Sequence, residues 1–297
     1  MTILKVTHND ENQTIFNYIK KNFKQTSLSV IYKWFRTNKI KINDKRIKDQ
    51  KIVLKAGDEV KVYDSASAVK RVDSTVVDFS DLKVIYEDEN ILIADKPANL
   101  EIHSPINENL DAKVRSYLIS SKQYDPELET SFVISHVHRL DKLTSGLVIY
   151  AKNKATLDVL LEAIKNKENI EKYYMAQLED NLVPEGLIEG YIDYNPESQL
   201  ADFRLEEKKR YKECSQIHKW YDKKDNILEI QLLSGRKHQI RAIMMYYNCP
   251  IVDDFRYGGQ RNQNKSIALV AYKLIFRNFS NHLEYLNDRE FVSTNSF

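Results

Sequence analysis

The chain has 297 residues, of which 42% are hydrophobic and 30% charged with a formal net charge of +2, and this composition indicates a globular protein with one large core and a smaller module. It contains no apolar run of the roughly 18 to 20 residues that span a bilayer, and its first residues lack the pattern of a signal peptide, so we expect a cytoplasmic protein without a membrane partner. The two cysteines, Cys214 and Cys249, show no CxxC spacing, which argues against a zinc cluster and a disulfide framework and favours two small buried residues.

The first 63 residues have the pattern of a small module of helices and a hairpin. The stretches "TIFNYIKKNF" and "SLSVIYKWFRTNK" each repeat apolar residues at helical spacing and predict two short amphipathic helices. "KIKIND" then alternates apolar and polar residues before an Asn43-Asp44 turn, and "AGDEVKVY" predicts a further strand. We therefore predict an N-terminal domain over residues 1–63.

Basic residues are concentrated in this module. It carries 14 Lys and Arg against 6 Asp and Glu, a net charge of +8, whereas the rest of the chain has 31 against 37, a net charge of −6. Six basic residues on the second helix and the hairpin, here called the basic face, could follow a phosphate backbone: Lys33, Arg36, Lys39, Lys41, Lys45 and Arg46. A solvated charged surface is the alternative interpretation of the same residues.

Residues 64–80 are small and polar without a clear period, which predicts a linker before a second domain at residues 81–297. Strand patterns dominate this second domain: "LKVIYED", "NILIADKP", "GLVIYAK", "KYYMAQLED", "ILEIQLLSG" and "SIALVAYKLIF". Two helices are predicted, "HQIRAIMMYY" and "NKATLDVLLEAIKN", the second with Leu157, Leu160, Leu161 and Ile164 in register. Because the helices and strands do not alternate regularly, the pattern favours an α+β fold over a doubly wound sheet.

One stretch of the second domain, "HRLDKLTSGLVIYAK" at residues 138–152, raises a question of chemistry. It places Asp141 after a basic residue and before a Thr-Ser-Gly turn. Such an acid can cap the turn or pair with a buried cation. It can also act as a nucleophile or stabilise a positive intermediate. The residue pattern by itself leaves these interpretations open.

The same stretch resembles the signature HRLDxxTSGLLxxAK of the RluA-type pseudouridine synthases. Three other stretches agree in chain order: "ILIADKPANLEIHS" resembles the family segment KPxGxxVH, "EKYYMAQLED" resembles KxYxA, and "GRKHQIRAIMMYYNCPIVDDFRYGG" resembles GRxHQIRxHxxxxGxPIxGDxxYG. The N-terminal stretch "SLSVIYKWFRTNKIKINDKRIKDQKIVLKAGDEVKVY" resembles the S4 RNA-binding domain, and the S4-bearing branch of the family includes the RluC and RluD enzymes. The N-terminal sequence is closer to that of RluC than to that of RluD. Together these matches span nearly the whole chain.

The resemblance implies an isomerase that converts uridine in RNA to pseudouridine without a metal or another cofactor. It implies a catalytic domain with a mixed, mainly antiparallel sheet flanked by helices. Asp141 occupies the position of the catalytic carboxylate, Arg241 that of the cation paired with it, and Tyr174 that of the ring that stacks on the target base. A shift of the alignment by one residue would put Tyr173 in that place.

The resemblance also implies how RNA is held. A target uridine inside folded RNA must be flipped into the pocket, and Arg139 stands at the family position suited to filling the space it leaves. Arg236, His238 and Gln239 could donate hydrogen bonds to RNA, and a role as structural partners is equally compatible with each. We expect His103 and His136 to be structural groups.

The chain departs from the family segments at secondary positions. Asn99, Asn248 and Asp253 stand where the segments have glycine, and Ile243 and Val270 stand where histidine is common. Asparagine tolerates a left-handed backbone better than most residues, so we expect Asn99 and Asn248 to preserve the turns. The pattern offers no reason for Asp253 or for the two missing histidines.

Two other classes of function are compatible with parts of the sequence. A catalytically silent RNA-binding or ribosome-assembly protein would not need Asp141, Tyr174 and Arg241 together. A hydrolase of glycosidic bonds would need two carboxylates, and we find no second acid with such a role in the quoted motifs. We therefore expect an RNA pseudouridine synthase that acts as a monomer on large-subunit ribosomal RNA, with transfer RNA as the alternative substrate.

Overall fold

The apolar periods of the N-terminal residues produce two helices and a small antiparallel sheet. The computed structural model describes residues 1–24, 26–64, 75–126, 128–129, 132–166, 169–260 and 266–297. The first elements are β1 (Thr2–Lys5), α1 (Ile15–Asn22), α2 (Leu28–Arg36), β2 (Ile40–Ile42), β3 (Lys45–Arg46) and β4 (Glu59–Val62). The strands lie in the order β1-β4-β2-β3, and each neighbouring pair runs antiparallel.

The buried faces of α1 and α2 confirm the predicted helical register. Tyr18 and Ile19 of α1 and Trp34 and Phe35 of α2 are all buried in one apolar cluster with the inner side chains of the sheet. The rings of Phe23 and Trp34 meet edge to face with 5.1 Å between centroids. The predicted hairpin is also confirmed, because Asn43 and Asp44 both take positive φ as a tight turn requires. Strand β1 was not predicted.

The chain divides into two units, and the first is larger than the predicted N-terminal domain. It comprises Met1–Phe79, Ala112–Ser135 and Lys152–Leu157. Within it, the Thr7 hydroxyl donates to Glu129 Oε2 at 3.1 Å, and the Lys154 N–H donates to Asn9 Oδ1 at 2.7 Å. An independent domain at residues 1–63 therefore stays a prediction. Of the predicted linker, residues 65–74 lie outside the described residues.

The later part of the chain contains most of the strands. Its elements are β5 (Lys83–Glu87), β6 (Ile91–Lys96), α3 (Leu110–Ser120), β7 (Ser135–His136), β8 (Ser145–Ala151), α4 (Lys154–Asn166), β9 (Ile170–Gln177), β10 (Gly186–Asn195), β11 (Leu200–Arg204), β12 (Lys212–Asp222), β13 (Ile227–Leu232), α5 (Gln239–Tyr246), β14 (Leu269–Phe276) and β15 (Glu290–Val292). A short 3₁₀ helix, Phe255–Tyr257, follows α5. The second unit comprises Ser80–Asp111, His136–Ala151 and Asp158–Phe297.

The large sheet is mixed and mainly antiparallel, as predicted. Its strands lie in the order β11-β10-β12-β13-β9-β14-β8-β6-β5, with β15 on β14 and β7 on β8. Strands β8 and β14 run parallel, and the other neighbouring pairs along this order run antiparallel. Every residue of β6 and of β8 is buried, which explains why these segments read as nearly continuous apolar runs.

The predicted strands and helices of the second domain are all present, but several elements were not predicted. These are α3, β7, β10, β11, β12 and β15. In α4 the predicted apolar stripe is narrower than expected, because Leu160 is buried whereas Leu161 is exposed. Cys214 and Cys249 are free and buried, as expected. Within the described residues, no helix has the length and apolar character needed to cross a membrane.

Gly146 determines where β8 can start after the Asp141 loop. Its φ is +116°, and a Cβ atom placed on it would lie 2.2 Å from the carbonyl oxygen of Ala271 in β14. Gly146 is paired with Ala271 in the parallel contact of the two strands. The glycine of the "TSGL" sequence is therefore required for the close approach of β8 to β14, five residues after Asp141.

Candidate active site

The second unit contains a cavity of about 850 Å³ on whose wall the predicted residues meet. All seven site residues predicted for the second domain line it: Arg139, Asp141, Tyr174, Arg236, His238, Gln239 and Arg241. They come from the loop between β7 and β8, from β9, from the segment that leads into α5, and from α5 itself. Stretches that are far apart in the sequence thus contribute to one pocket.

Asp141 lies in the loop before β8 with its carboxylate partly open to the cavity. Its side chain is 26% exposed, and its backbone carbonyl accepts a hydrogen bond from the Thr144 N–H at 3.1 Å, which closes a turn. Asp141 Oδ2 faces two nitrogen atoms, Arg241 Nη1 at 3.5 Å and His238 Nε2 at 3.6 Å. The carboxylate is therefore held beside a fixed positive charge but keeps access to a ligand.

The main partner of Arg241 is Asp254, which the sequence did not reveal. Arg241 Nε and Nη2 donate to the two carboxylate oxygens of Asp254, both at 2.7 Å, and the side chains are 4% and 1% exposed. The guanidinium also lies over the ring of Tyr257 at 4.6 Å from its centroid. Burial opposes the charge of Arg241, but the hydrogen bonds and charge of Asp254 outweigh it, so the pKa of Arg241 is raised.

This geometry adds to one expectation and corrects another. Arg241 contacts Asp141 as expected, through Nη1 at 3.5 Å, but its closer partner is Asp254. A second acid does lie in the quoted segments, but Asp254 is enclosed and doubly bonded to the guanidinium. It is not available as the second carboxylate of a glycosidic hydrolase, which must exchange a proton with substrate or water.

His238 connects Asp141 to Tyr257. The Tyr257 hydroxyl accepts a hydrogen bond from the Ala201 N–H at 2.7 Å and lies 2.8 Å from His238 Nδ1. If the hydroxyl donates to Nδ1, the ring proton lies on Nε2, where it faces Asp141. Burial lowers the pKa of His238 although Asp141 opposes this, so the imidazole is neutral near pH 7.

Tyr174 rather than Tyr173 faces the cavity. Tyr174 lies on β9 opposite Ile230 of β13, is buried and lines the pocket. Burial, together with the charge of Asp141, raises its pKa, so the phenol stays protonated. Tyr173 points to the other face of the strand, where its hydroxyl donates to Glu171 Oε2 at 2.7 Å. The alternation of the strand thus puts Tyr174, and not Tyr173, on the cavity wall.

Lys96 is a buried cation of the site that was not predicted. Its Nζ donates to the carbonyl oxygens of Pro97, Leu100 and Lys142 at 3.0, 2.9 and 3.2 Å. Burial lowers the pKa of Lys96 to about 8, and the charge of Asp141 opposes that shift. Because Lys142 follows Asp141 directly, Lys96 ties the Asp141 loop to the segment after β6. Its position in the "KP" segment was the signal that could have revealed it.

The cavity wall is basic although the chain beyond residue 63 carries a net negative charge. Among the described residues it presents seven cationic and two acidic side chains: Arg139, Lys142, Lys172, Arg236, Lys237, Arg241 and Arg256, with Glu101 and Asp141. Arg139 is exposed, and so is Arg236, whose Nε donates to the carbonyl oxygen of Glu213 at 3.0 Å. This charge distribution suits a polyanionic ligand.

Gln239 and three further histidines make hydrogen bonds to other groups of the protein. The buried Gln239 amide donates to the carbonyl oxygen of Ser215 and to Gln216, and it accepts from Ser234 and from the Arg236 N–H. These bonds favour the structural role over RNA binding for Gln239. His103 and His136 both contact the buried carboxylate of Asp111, at 3.1 and 2.9 Å. The contact of the half-buried His136 agrees with the expected structural role, whereas His103 is 66% exposed and also lines the cavity, so its structural role stays a prediction. His138 accepts from the Ile149 N–H, and burial lowers its pKa to about 3.

The departures from the family segments have structural explanations. Asn99, Asn248 and Asp253 all take positive φ, at 65°, 55° and 66°. The expected preservation of turns by the two asparagines is confirmed, and Asp253 occupies a third position of the same kind. Ile243 and Val270 are buried, so the apolar side chains that replace histidine belong to the core and have no access to RNA.

The basic face lies on the first unit. Lys33 and Arg36 of α2 and Lys45 and Arg46 of β3 are exposed, whereas Lys39 and Lys41 are half-buried. The Lys41 ammonium lies over the ring of Tyr63 at 5.1 Å from its centroid. The fold therefore leaves these positive charges accessible along α2 and the hairpin.

Comparison with known proteins connects this pocket to one family. The family model described as RNA pseudouridylate synthase matches residues 90–246. An uncharacterised RNA pseudouridine synthase of Mycoplasma capricolum is 49% identical over 98% of this chain and 97% of its own length. The ribosomal large subunit pseudouridine synthase C of Buchnera aphidicola is 30% identical over 86% of this chain and 80% of its own. The solved structure of human RNA pseudouridylate synthase domain containing 4 shares the fold, with a TM-score of 0.55 at 17% identity, over 71% of this chain and 87% of that one.

Proposed function

The chain belongs to the RluA-type family of RNA pseudouridine synthases, and from this premise we propose that it isomerises uridines of large-subunit ribosomal RNA with Asp141 as the catalytic carboxylate. The enzyme is an isomerase, and the RluC and RluD branch of the family contains its relatives. The single observation that carries the proposed role of Asp141 is its position: an accessible carboxylate in a basic cavity, beside a buried arginine.

The reaction requires a carboxylate that stays ionised. During isomerisation the bond between uracil N1 and the ribose C1′ breaks, the uracil turns, and a bond from C5 to C1′ replaces it; C5 loses a proton and N1 gains one, so the product is an isomer of the substrate. Asp141 either attacks the reacting carbon or stabilises the positive charge that develops on the sugar. Arg241 places a fixed positive charge beside this carboxylate, because Asp254 and the Tyr257 ring hold the guanidinium in one orientation.

We assign the base-facing position to Tyr174. Its buried ring forms part of the cavity wall, and its protonated hydroxyl adds no charge to the site. A flat ring at this position can stack on the uracil and hold it against Asp141 while the base turns. Asp141, Tyr174 and Arg241 then have separate roles: chemistry, orientation of the base, and support of the carboxylate.

The exposed cations of the cavity receive the RNA. Arg139 is exposed beside Asp141, and this location supports a role in occupying the space that the flipped uridine leaves. Arg236 and His238 line the same cavity, and the guanidinium of Arg236 is exposed and can donate to a phosphate beside its bond to Glu213. His238 acts mainly through Asp141 and Tyr257 in this scheme.

The N-terminal residues form an S4-like RNA-binding module in this proposal. Two helices, a hairpin and an exposed basic face support that interpretation. The module holds structured RNA through its phosphates, whereas the second unit performs the chemistry. We propose that the protein acts in the cytoplasm as a monomer, where it meets ribosomal RNA.

Mapping pseudouridine in ribosomal and transfer RNA from cells with and without the gene tests the target. We expect one or more sites of large-subunit ribosomal RNA to lose the modification and to regain it with the wild-type gene, but not with Asp141→Asn. Sites lost from transfer RNA alone would contradict the ribosomal target. Full restoration by a folded Asp141→Asn protein would contradict the role of Asp141.

A further inference from the structure

Phe255 is a large apolar side chain on the wall of a polar cavity. It is 52% exposed, and among the described residues no other large apolar side chain that lines the cavity is as exposed. Single exposed apolar residues are common on protein surfaces and need no explanation by themselves. The support and the surroundings of this ring distinguish it.

The backbone of Phe255 is fixed from both sides by groups of the active site. Phe255 opens the 3₁₀ helix that ends at Tyr257, and its neighbour Asp254 is bonded twice to Arg241. Tyr257, two residues later, is buried and bonded to His238 and to the Ala201 N–H. The residues on either side of Phe255 are therefore held by Arg241 and His238, the two residues that also face Asp141.

Cations lie on the same wall as the ring. Arg139 and Arg256 both line the cavity, and Arg256 is oriented by hydrogen bonds to the carbonyl oxygens of Ser198 and Gln199 at 3.0 and 3.1 Å. Proteins that bind single-stranded RNA combine an aromatic ring for base stacking with cations for the phosphates. A pre-positioned ring loses little conformational entropy when it binds a base.

We propose that Phe255 is the platform on which a base next to the target uridine stacks when that uridine enters the cavity. The inference rests on the proposed function, because it requires an RNA with one nucleotide flipped out of its stack. The flipped uridine leaves its neighbours without a stacking partner, and the exposed ring at the cavity wall replaces that partner. Phe255 then contributes to RNA affinity and to the choice of sequence around the target, and it does not take part in the chemistry.

The test uses hairpin RNAs built on the uridine that mapping identifies, with fluorescent 2-aminopurine placed on either side of it. Stacking on an aromatic ring quenches this base, so wild type and Phe255→Trp should quench one of the two probes, and Phe255→Ala should not. The affinity of Phe255→Ala should fall roughly 5- to 150-fold, as expected for loss of one stacked base. Phe255→Leu, which keeps apolar bulk without a ring, should lie between. The single-turnover rate of bound RNA should change less than the affinity.

Tyr221→Ala is the matched control, because Tyr221 is 69% exposed on β12 and does not line the cavity. It should bind and quench like wild type. Equal affinity and quenching for wild type and Phe255→Ala would overturn the inference, and so would an equal loss in Tyr221→Ala. Failure of the proposed function is distinguishable, because wild-type protein would then form no pseudouridine in any RNA.

Discussion

Arg241 has two buried or partly buried acidic neighbours, and we expect its loss to reduce stability through Asp254 and turnover through Asp141. Arg241→Met leaves the Asp254 carboxylate, 1% exposed, without its two charge-assisted hydrogen bonds. Removing one partner of a buried pair costs about 3 to 5 kcal/mol. For a unit of this size each kcal/mol shifts the unfolding midpoint by about 2 to 4 °C, so we expect a fall of roughly 6 to 20 °C. Turnover should also fall, by about 10²- to 10³-fold, since Asp141 loses its cation.

The double variant Arg241→Met with Asp254→Leu tests this reasoning. Apolar groups of similar size can replace a buried pair at little cost, so most of the lost stability should return. Turnover should stay low, because Asp141 still lacks a positive neighbour. The assays are thermal unfolding and pseudouridine formation under single-turnover conditions on the mapped RNA. As a control, the exposed pair of Arg204 and Asp202, removed in the same way, should change stability by less than about 1 kcal/mol.

Two results would refute the assignment. If the double variant is as unstable as Arg241→Met alone, the uncompensated Asp254 carboxylate is not the cause of the loss. If the double variant recovers normal turnover, Asp141 does not need the charge of Arg241.

Three further predictions concern other parts of the chain. Charge reversal of the basic face by Lys33→Glu, Arg36→Glu and Lys39→Glu should weaken RNA binding and reduce its salt dependence, because fewer phosphates are neutralised. The same charge reversal at three exposed residues outside that face should have a smaller effect: Lys219, Lys223 and Lys224. Equal salt slopes for the two triple variants would show that the basic face is only solvated. Gly146→Ala should destabilise the protein by more than about 3 kcal/mol in denaturant unfolding, because the new methyl group collides with the backbone of Ala271. Gly186→Ala is the control: Gly186 also has positive φ, but no atom lies within 4 Å of the added methyl group, so the cost should be about 1 to 2 kcal/mol. The stability of wild type relative to Lys96→Met should rise between about pH 8 and pH 10.5, because the folded state releases the Lys96 proton at the lower of these values and the unfolded state retains it; a flat difference across that range would contradict the buried cation.

Much of the fold could be predicted because near neighbours determine it. The apolar residues of α1 and α2 recur three and four positions apart, as in Ile15 and Ile19 or Ile31 and Phe35, and this spacing predicted two helices whose inner faces are buried. The Asn43-Asp44 turn and the asparagine at position 99 were readable because few residues tolerate a left-handed backbone. Strands β6 and β8 were recognisable as buried apolar runs. These signals depend on residues within one or two turns of each other.

Elements with weaker local signals were missed. Strand β10 reads "GLIEGYIDYN", in which apolar residues alternate only with interruptions by glycine and aspartate. β10 is held by hydrogen bonds to β11 on one side and to β12 on the other. The residues of β12 that pair with β10 lie 20 to 32 residues further along the chain, from Ile192 with Lys212 to Gly186 with His218. A strand held by its neighbours in the sheet need not show a strong pattern of its own.

The sequence by itself determined the family resemblance, the helical and strand periods, and the placement of Asp141, Tyr174 and Arg241 in matching segments. Only the tertiary structure decided which groups touch. Of the two adjacent acids Asp253 and Asp254, the first takes a left-handed backbone conformation and the second meets Arg241, which lies 13 residues earlier in the chain. The physical reason is that local periodicity sets the face on which a side chain lies, whereas the distance between two charges depends on loop closure and on long-range packing of the sheet against α5, which no local pattern encodes.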